Sequence, residues 1–177
     1  IMKFIALLSM KREVEKMSES IKENRVDQIN YYLDIAETVL ERSTCLKRHY
    51  GAVIVKNNEI ISTGYNGAPR GISNCIDLKK CIRSECPRGT GYENCIAVHA
   101  EMNAIISSKR SDMIGSSLYL VGKEIDGNYV KNGEPCSICK KIIINAGIEK
   151  VIIRTIKNEY KIINTKEWER ENLIGGY

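Results

Sequence analysis

Two short motifs constrain this chain more than anything else in it: His99-Ala100-Glu101 and Pro135-Cys136-Ser137-Ile138-Cys139. One imidazole and two thiolates are three zinc ligands. Three protein ligands leave one tetrahedral position open, as a catalytic zinc needs and a structural zinc does not. A fold that uses them must bring two segments far apart in sequence to one point. Glu101 then stands beside that point, where a carboxylate serves better as a proton carrier than as a ligand.

The pattern around the motifs shows how this can happen. Ile29, Tyr32, Leu33, Ala36, Val39 and Leu40 recur at helical spacing and predict an amphipathic helix over 27–43. Gly51 to Val55 reads as a buried strand, Asn57-Asn58 as a type I′ turn and Glu59 to Tyr65 as the return strand. A helix is expected over 98–109, with Met102, Ile105 and Ile106 on one face, followed by a strand over 117–121. Residues 122–134 form a polar excursion with a small hairpin at Asp126-Gly127. A second helix runs over 136–146, stopped by Gly147 as a left-handed cap. Lys150 to Thr155 is the next strand. Asn164 and Glu167 suit the start of a last short helix.

A helical crossover makes strands 117–121 and 150–155 parallel and right-handed. Only Ile156 to Glu159 precede a fifth strand at 160–164, too few residues for a parallel return, so that strand must be antiparallel or belong elsewhere. The expected architecture is α/β: three layers, α/β/α, around one mixed sheet. His99 and Cys136 fall at two helix starts. Both helix dipoles and free N–H groups favour thiolate there, and Pro135 loses nothing by lacking an N–H at a helix entry.

Composition limits the alternatives. Seven cysteines in 177 residues is an odd count and a poor match to a small disulfide scaffold, which favours metal binding in a reducing, cytoplasmic compartment. The net charge of +5 is spread among acidic residues, with no basic block, so nucleic acid is not an expected partner. No stretch is long and apolar enough to span a membrane, and the opening residues make a poor signal peptide. Residues 1–24 read as an appendage, loosely helical or disordered, before a domain over 25–177. Asn66 to Cys95 is a long stretch without period that holds four cysteines after Cys45, and it needs something to organise it.

The H-x-E…P-C-x-x-C pattern is that of zinc deaminases. With Arg42-Ser43-Thr44-Cys45, Gly51-Ala52-Val53-Ile54-Val55 and Ile61 to Gly71, which contains Gly64-Tyr65-Asn66-Gly67-Ala68-Pro69-Arg70-Gly71, the chain resembles the deoxycytidylate (dCMP) deaminases, late-competence-operon type included, of the cytidine-deaminase-like superfamily. The resemblance runs from about Tyr31 to Ile153. It implies hydrolysis of dCMP to dUMP and ammonia, feeding thymidylate synthesis, with Zn²⁺ on His99, Cys136 and Cys139 and with Glu101 moving protons. It further implies that Asn66 meets the deoxyribose and that basic side chains hold the phosphate, with Arg70, Lys47, Arg48 and Arg110 as candidates. A homohexamer regulated by dCTP and dTTP is also implied. Some relatives carry a second, structural zinc near positions resembling Cys45 and Cys75. The set preferred here is Cys45, Cys75, Cys81 and Cys95, with Cys86 as spare, against buried free thiols or oxidised pairs. Another zinc deaminase acting on tRNA adenosine, cytidine or guanine, and a non-catalytic zinc module, are the alternative readings.

Overall fold

Asp27 begins helix α1 (Gln28–Leu40) by accepting the backbone N–H groups of Ile29 and Asn30, each at 3.0 Å, which satisfies two of the donors that a helix start leaves unpaired. The helix ends before the expected 43, because Ser43 turns away to hydrogen-bond Asn66 through its hydroxyl. These coordinates are a computed structural model, which describes residues 10–14, 16–17, 25–87 and 91–170. Residues 10–14 and 16–17 are helical and exposed, and the rest of the 1–24 appendage lies outside the described residues.

Strands β1 (Arg48–Lys56), β2 (Glu59–Tyr65), β3 (Ser117–Glu124), β4 (Lys150–Ile156) and β5 (Glu159–Asn164) form one sheet in the order β2-β1-β3-β4-β5. Asn57 and Asn58 both adopt positive φ, 51° and 65°, as a type I′ hairpin demands. β3 and β4 are parallel, whereas β5 returns antiparallel along β4. The polar excursion closes as a small hairpin, with Gly127 at φ 86° and Val130 N–H bonded to the Gly122 carbonyl.

Period-two alternation divides the core. Val53, Val55, Tyr119, Val121 and Ile152 face α1, where they meet Tyr32, Leu33 and Ala36. Ala52, Ile54, Leu118, Leu120, Val151 and Ile153 face helices α3 (Ala100–Ile106) and α5 (Ser137–Ala146). The short helices α4 (Arg110–Met113) and α6 (Thr165–Arg170) complete that layer through Met113 and Trp168. The helix expected over 98–109 is thus split in two. Its first part ends where the Ser107 hydroxyl bonds back to the Asn103 carbonyl at 2.7 Å, a competitor to helix propagation.

One buried side chain reinforces the layers. Arg154 on β4 is buried with its guanidinium on Asp34 at 2.9 Å and on the Asn30 carbonyl at 3.2 Å, tying α1 to the sheet. Within the long loop, the chain forms helix α2 (Cys75–Leu78) and two 3₁₀ turns, Ile82–Glu85 and Tyr92–Asn94. Ile76, Leu78 and Ile82 are all exposed there, so apolar burial does not hold this loop in place.

Candidate active site

The histidine is positioned from three directions. Gly67 and Val98 form an isolated antiparallel bridge with bonds of 3.2 and 2.8 Å, which pins the residue before His99. Ser62 donates to the Ala104 carbonyl at 2.7 Å, and Asn103 donates to the Tyr65 carbonyl, also at 2.7 Å, fastening α3 to β2. At Gly64, a side chain is impossible without displacement: a Cβ there would lie 2.3 Å from the Ala100 carbonyl oxygen. His99 and Cys136 are the extended residues that cap α3 and α5. Gly147 ends α5 at φ 83°.

The two helix starts converge. His99 Nδ1 lies 3.5 Å from Cys136 Sγ and 3.3 Å from Cys139 Sγ. All three ligand atoms are within 4.8 Å of one another. Zinc bonds of about 2.0–2.1 Å to nitrogen and 2.3 Å to sulfur, at the tetrahedral angle, would set N and S roughly 3.6 Å apart. The donor set and its spacing therefore fit Zn²⁺, with His99, Cys136 and Cys139 as the residues to hold it. Among the described residues this is the only such group with so tight a spacing.

The electrostatics suit a metal thiolate site. The Cys136 thiol is brought down to about 3, first by the hydrogen bond from Cys139 and then by His99. Cys139 is correspondingly pushed up, because it holds the proton that the pair shares and is buried. A Cys136 hydrogen bond raises the His99 imidazole. Glu101 is only 5% exposed, and burial raises its carboxyl, which also contacts the Cys139 thiol. A carboxyl of this kind can take up and give back a proton near neutral pH more readily than a solvated one.

His99, Glu101 and Cys136 open onto a cavity of about 720 Å³. Asn66 lines it too, only 7% exposed. Its Oδ1 accepts from Ser43 Oγ and from the Tyr50 N–H, both at 2.7 Å, and its Nδ2 donates to the Arg48 carbonyl at 2.8 Å. Asn66 thus joins three segments of the cavity wall. Lys47 and Arg48 are also in the wall, the latter bidentate on Glu124 at 2.8 and 3.0 Å. Arg70 and Arg110 are not. Arg70 borders a separate depression with Pro69, Val98, Asn103 and Ile106, and Arg110 donates to the Asn145 carbonyl at 3.0 Å.

Sequence reasoning missed Tyr50, Arg83, Asn132 and Glu134, all lining the cavity. Tyr50 was legible in principle, since it alternates with Ala52 and Ile54 on the face that carries the site. Burial raises its phenol to about 12, so it stays protonated. Glu134 is held by Lys161 at 2.8 Å and Lys140 at 3.1 Å. Arg83 carries its charge close enough to oppose protonation of His99.

All seven cysteines are free thiols, so no oxidised pair is formed. Cys75 is buried, and after burial itself the neighbours that raise its thiol are Cys45, Cys81 and Cys95. These four are gathered but do not meet the spacing that the His99 group achieves.

The site and fold agree with what known proteins show. The sequence profile described as "Cytidine and deoxycytidylate deaminase zinc-binding region" matches residues 26–155, and the chain belongs to this family. A deoxycytidylate deaminase of Mycobacterium phage D29 is 36% identical over 133 residues, which are 73% of this chain and 95% of the phage protein. The human deoxycytidylate deaminase is 33% identical over 145 residues, covering 80% of this chain and 74% of that one. The fission-yeast relative is longer, and the match spans 37% of it. Among solved structures, the dCMP deaminase of cyanophage S-TIM5 in apo form is 28% identical, with a TM-score of 0.51, over 73% of this chain and 85% of that chain. The same phage enzyme in complex with dCMP and dUMP is similar with a TM-score of 0.50 and 26% identity, over 73% and 84% of the two chains.

Proposed function

We propose that this chain deaminates dCMP by hydrolysis, converting dCMP and water to dUMP and ammonia. The observation that carries the reading is the buried Glu101 carboxyl set in the same cavity as a three-donor His99/Cys136/Cys139 group. Zinc held by three ligands supplies Lewis acidity that makes water nucleophilic near neutral pH. Glu101 would carry one proton of the attacking water to the ring nitrogen and the other to the departing amine, so that the water oxygen stays on C4 as the dUMP carbonyl and ammonia leaves. Cys136 and Cys139 would serve only to hold the metal. Asn66 orients the sugar side through its remaining Nδ2 hydrogen and its hold on the cavity wall. The partly buried Tyr50 ring helps exclude water.

A panel of dCMP, CMP, deoxycytidine, cytosine, guanine and tRNA, read by ammonia release with and without dCTP, tests this. Turnover of dCMP at the highest kcat/KM is expected. Preference for tRNA or guanine would sink the reading.

Four further assignments accompany it. Residues 25–177 are the deaminase domain, with 1–24 appended. Several copies assemble, in a hexamer by family likeness, with dCTP and dTTP as effectors; the exposed Ile72 and Ile106 support apolar contact between copies. A second zinc sits on Cys45, Cys75, Cys81 and Cys95, supported by the gathering of these thiols about Cys75. The protein works in the cytoplasm, supported by its free thiols. No helix among the described residues is long and apolar enough to cross a membrane.

A further inference from the structure

Resting on the dCMP reading, we propose that Tyr50, seated on Gly122, is the residue that selects 2′-deoxyribose: its ring presents apolar surface where a ribose would carry a second hydroxyl, and the wall beside it has one hydrogen left to donate.

The floor of the cavity is a register of side-chain pairs. Residues two apart on a strand share a face. Arg48, Tyr50 and Ala52 of β1 therefore stand in line, opposite Glu124, Gly122 and Leu120 of β3. Each pair is about 6.6 Å from the next. At one end Ala52 and Leu120 are buried in the core with Ala100 and Cys139, close to the helix starts that carry the metal group. At the other end Arg48 is paired with Glu124. Tyr50 falls between, in the wall that it shares with Glu101, Asn66 and Arg48. Burial dominates its phenol, which also feels both ends of the line: Arg48 opposes the rise and Glu101 adds to it. A base with its C4 at Glu101 and a phosphate toward Lys47 and Arg48 put the sugar over this middle pair.

That pair is one-sided by necessity. A Cβ on Gly122 would lie 2.4 Å from Tyr50 Cε1, so the ring takes the space that a side chain at 122 would fill. The polar atoms next to the ring are already engaged. Asn66 Oδ1 has both lone pairs occupied, by Ser43 Oγ and the Tyr50 N–H at 2.7 Å, and one Nδ2 hydrogen is on the Arg48 carbonyl at 2.8 Å. The Tyr50 carbonyl accepts the Asn66 N–H at 3.2 Å. The second Nδ2 hydrogen of Asn66 is what a sugar can use. In a 5′-nucleotide, 2′-deoxyribose has one free hydroxyl and ribose has two. The first is matched by Asn66. The second would be taken out of water against the ring and left unpaired, the costly case for a polar group.

Calorimetry on the zinc-loaded protein measures Kd for dUMP, UMP and 2′-deoxy-2′-fluoro-UMP, in wild type, Tyr50→Phe, Tyr50→Ser and Gly122→Ala, alongside kcat/KM for dCMP and CMP. Wild type is expected to bind dUMP roughly 10- to 100-fold more tightly than UMP, the effect of one unpaired hydroxyl. The fluoro analogue should bind within about threefold of dUMP, because fluorine fills the hydroxyl's place without needing a partner. Tyr50→Phe should keep the preference, since the ring and not the phenol makes it. Tyr50→Ser admits water to the second hydroxyl and Gly122→Ala displaces the ring, and each should cut the dUMP-over-UMP and dCMP-over-CMP ratios by about tenfold. Equal wild-type affinity for dUMP and UMP would overturn the filter. So would a fluoro analogue as weak as UMP, which marks a steric wall, or loss of the preference in Tyr50→Phe, which marks the phenol. Unaltered ratios in Tyr50→Ser and Gly122→Ala would overturn it too, and the wild-type measurements decide the matter where a variant does not fold. A protein that prefers dUMP as expected yet releases no ammonia from dCMP would refute the deaminase reading and leave the filter standing. Turnover of dCMP with no sugar preference would do the reverse.

Discussion

The backbone at Gly64 passes so close beneath Ala100 that a methyl group on it would sit 2.3 Å from the Ala100 carbonyl oxygen. Ala100 lies between His99 and Glu101, so the missing side chain on β2 determines how deeply both reach. Gly64→Ala should cost roughly 1–3 kcal/mol in urea unfolding, the usual cost of overpacking, and should lower zinc content as α3 is pushed outward. Wild-type stability and full zinc would show that the helix does not depend on this contact.

Glu101→Gln removes proton transfer while keeping the buried volume. Zinc per chain should match wild type, and kcat should fall by about 10²- to 10⁴-fold, the range for loss of a general acid–base. Stability should not fall, because a carboxyl raised by burial is replaced by a neutral amide. If activity persisted near wild type, the proton carrier would have to be another residue.

Chelation should abolish turnover, and added zinc should restore it. Cys136→Ser should not be restored at the same zinc concentration, since it deletes the thiol that ionises first. Thermal unfolding should shift upward on zinc addition, by about 4.1 kcal/mol of stabilisation at 1,000 times Kd. A melting curve indifferent to zinc would contradict a metal bound by the folded state.

Stability should decline in acid through two carboxylates that are paired with lysines, Glu37 and Glu134. Burial would by itself raise Glu37, but bonds from Lys123 and Tyr129 outweigh it and leave the group lowered. Glu134 is lowered chiefly by its Lys161 bond. Groups lowered by folding give stability that is fully present above their ordinary value of about 4.5 and is lost as pH falls through the folded value. Urea midpoints should therefore drop below that pH, and less steeply in Glu37→Gln. An identical slope in the variant would remove Glu37 from the account.

The fold was legible wherever local chemistry decides geometry. Asn57-Asn58 announced a hairpin because both residues tolerate positive φ, and the four residues before Tyr160 excluded a parallel β5 by length alone. The candidate metal group was legible because metal spacing imposes a pattern that few other demands share. The phosphate candidates were another matter. Arg70 and Arg110 are near the motifs in sequence but reach a different depression and the Asn145 carbonyl. Arg83 arrives from a loop with no period, placed by contacts that no local pattern encodes. Helix boundaries at 43 and 109 were missed because serine hydroxyls took backbone or side-chain acceptors instead of letting the helices run on.

The Lys47 ammonium is anchored at 2.8 Å on the main-chain oxygen of Arg83, a group that every amino acid supplies. Position 83 can therefore be exchanged without cutting that anchor between the loop and the start of the sheet.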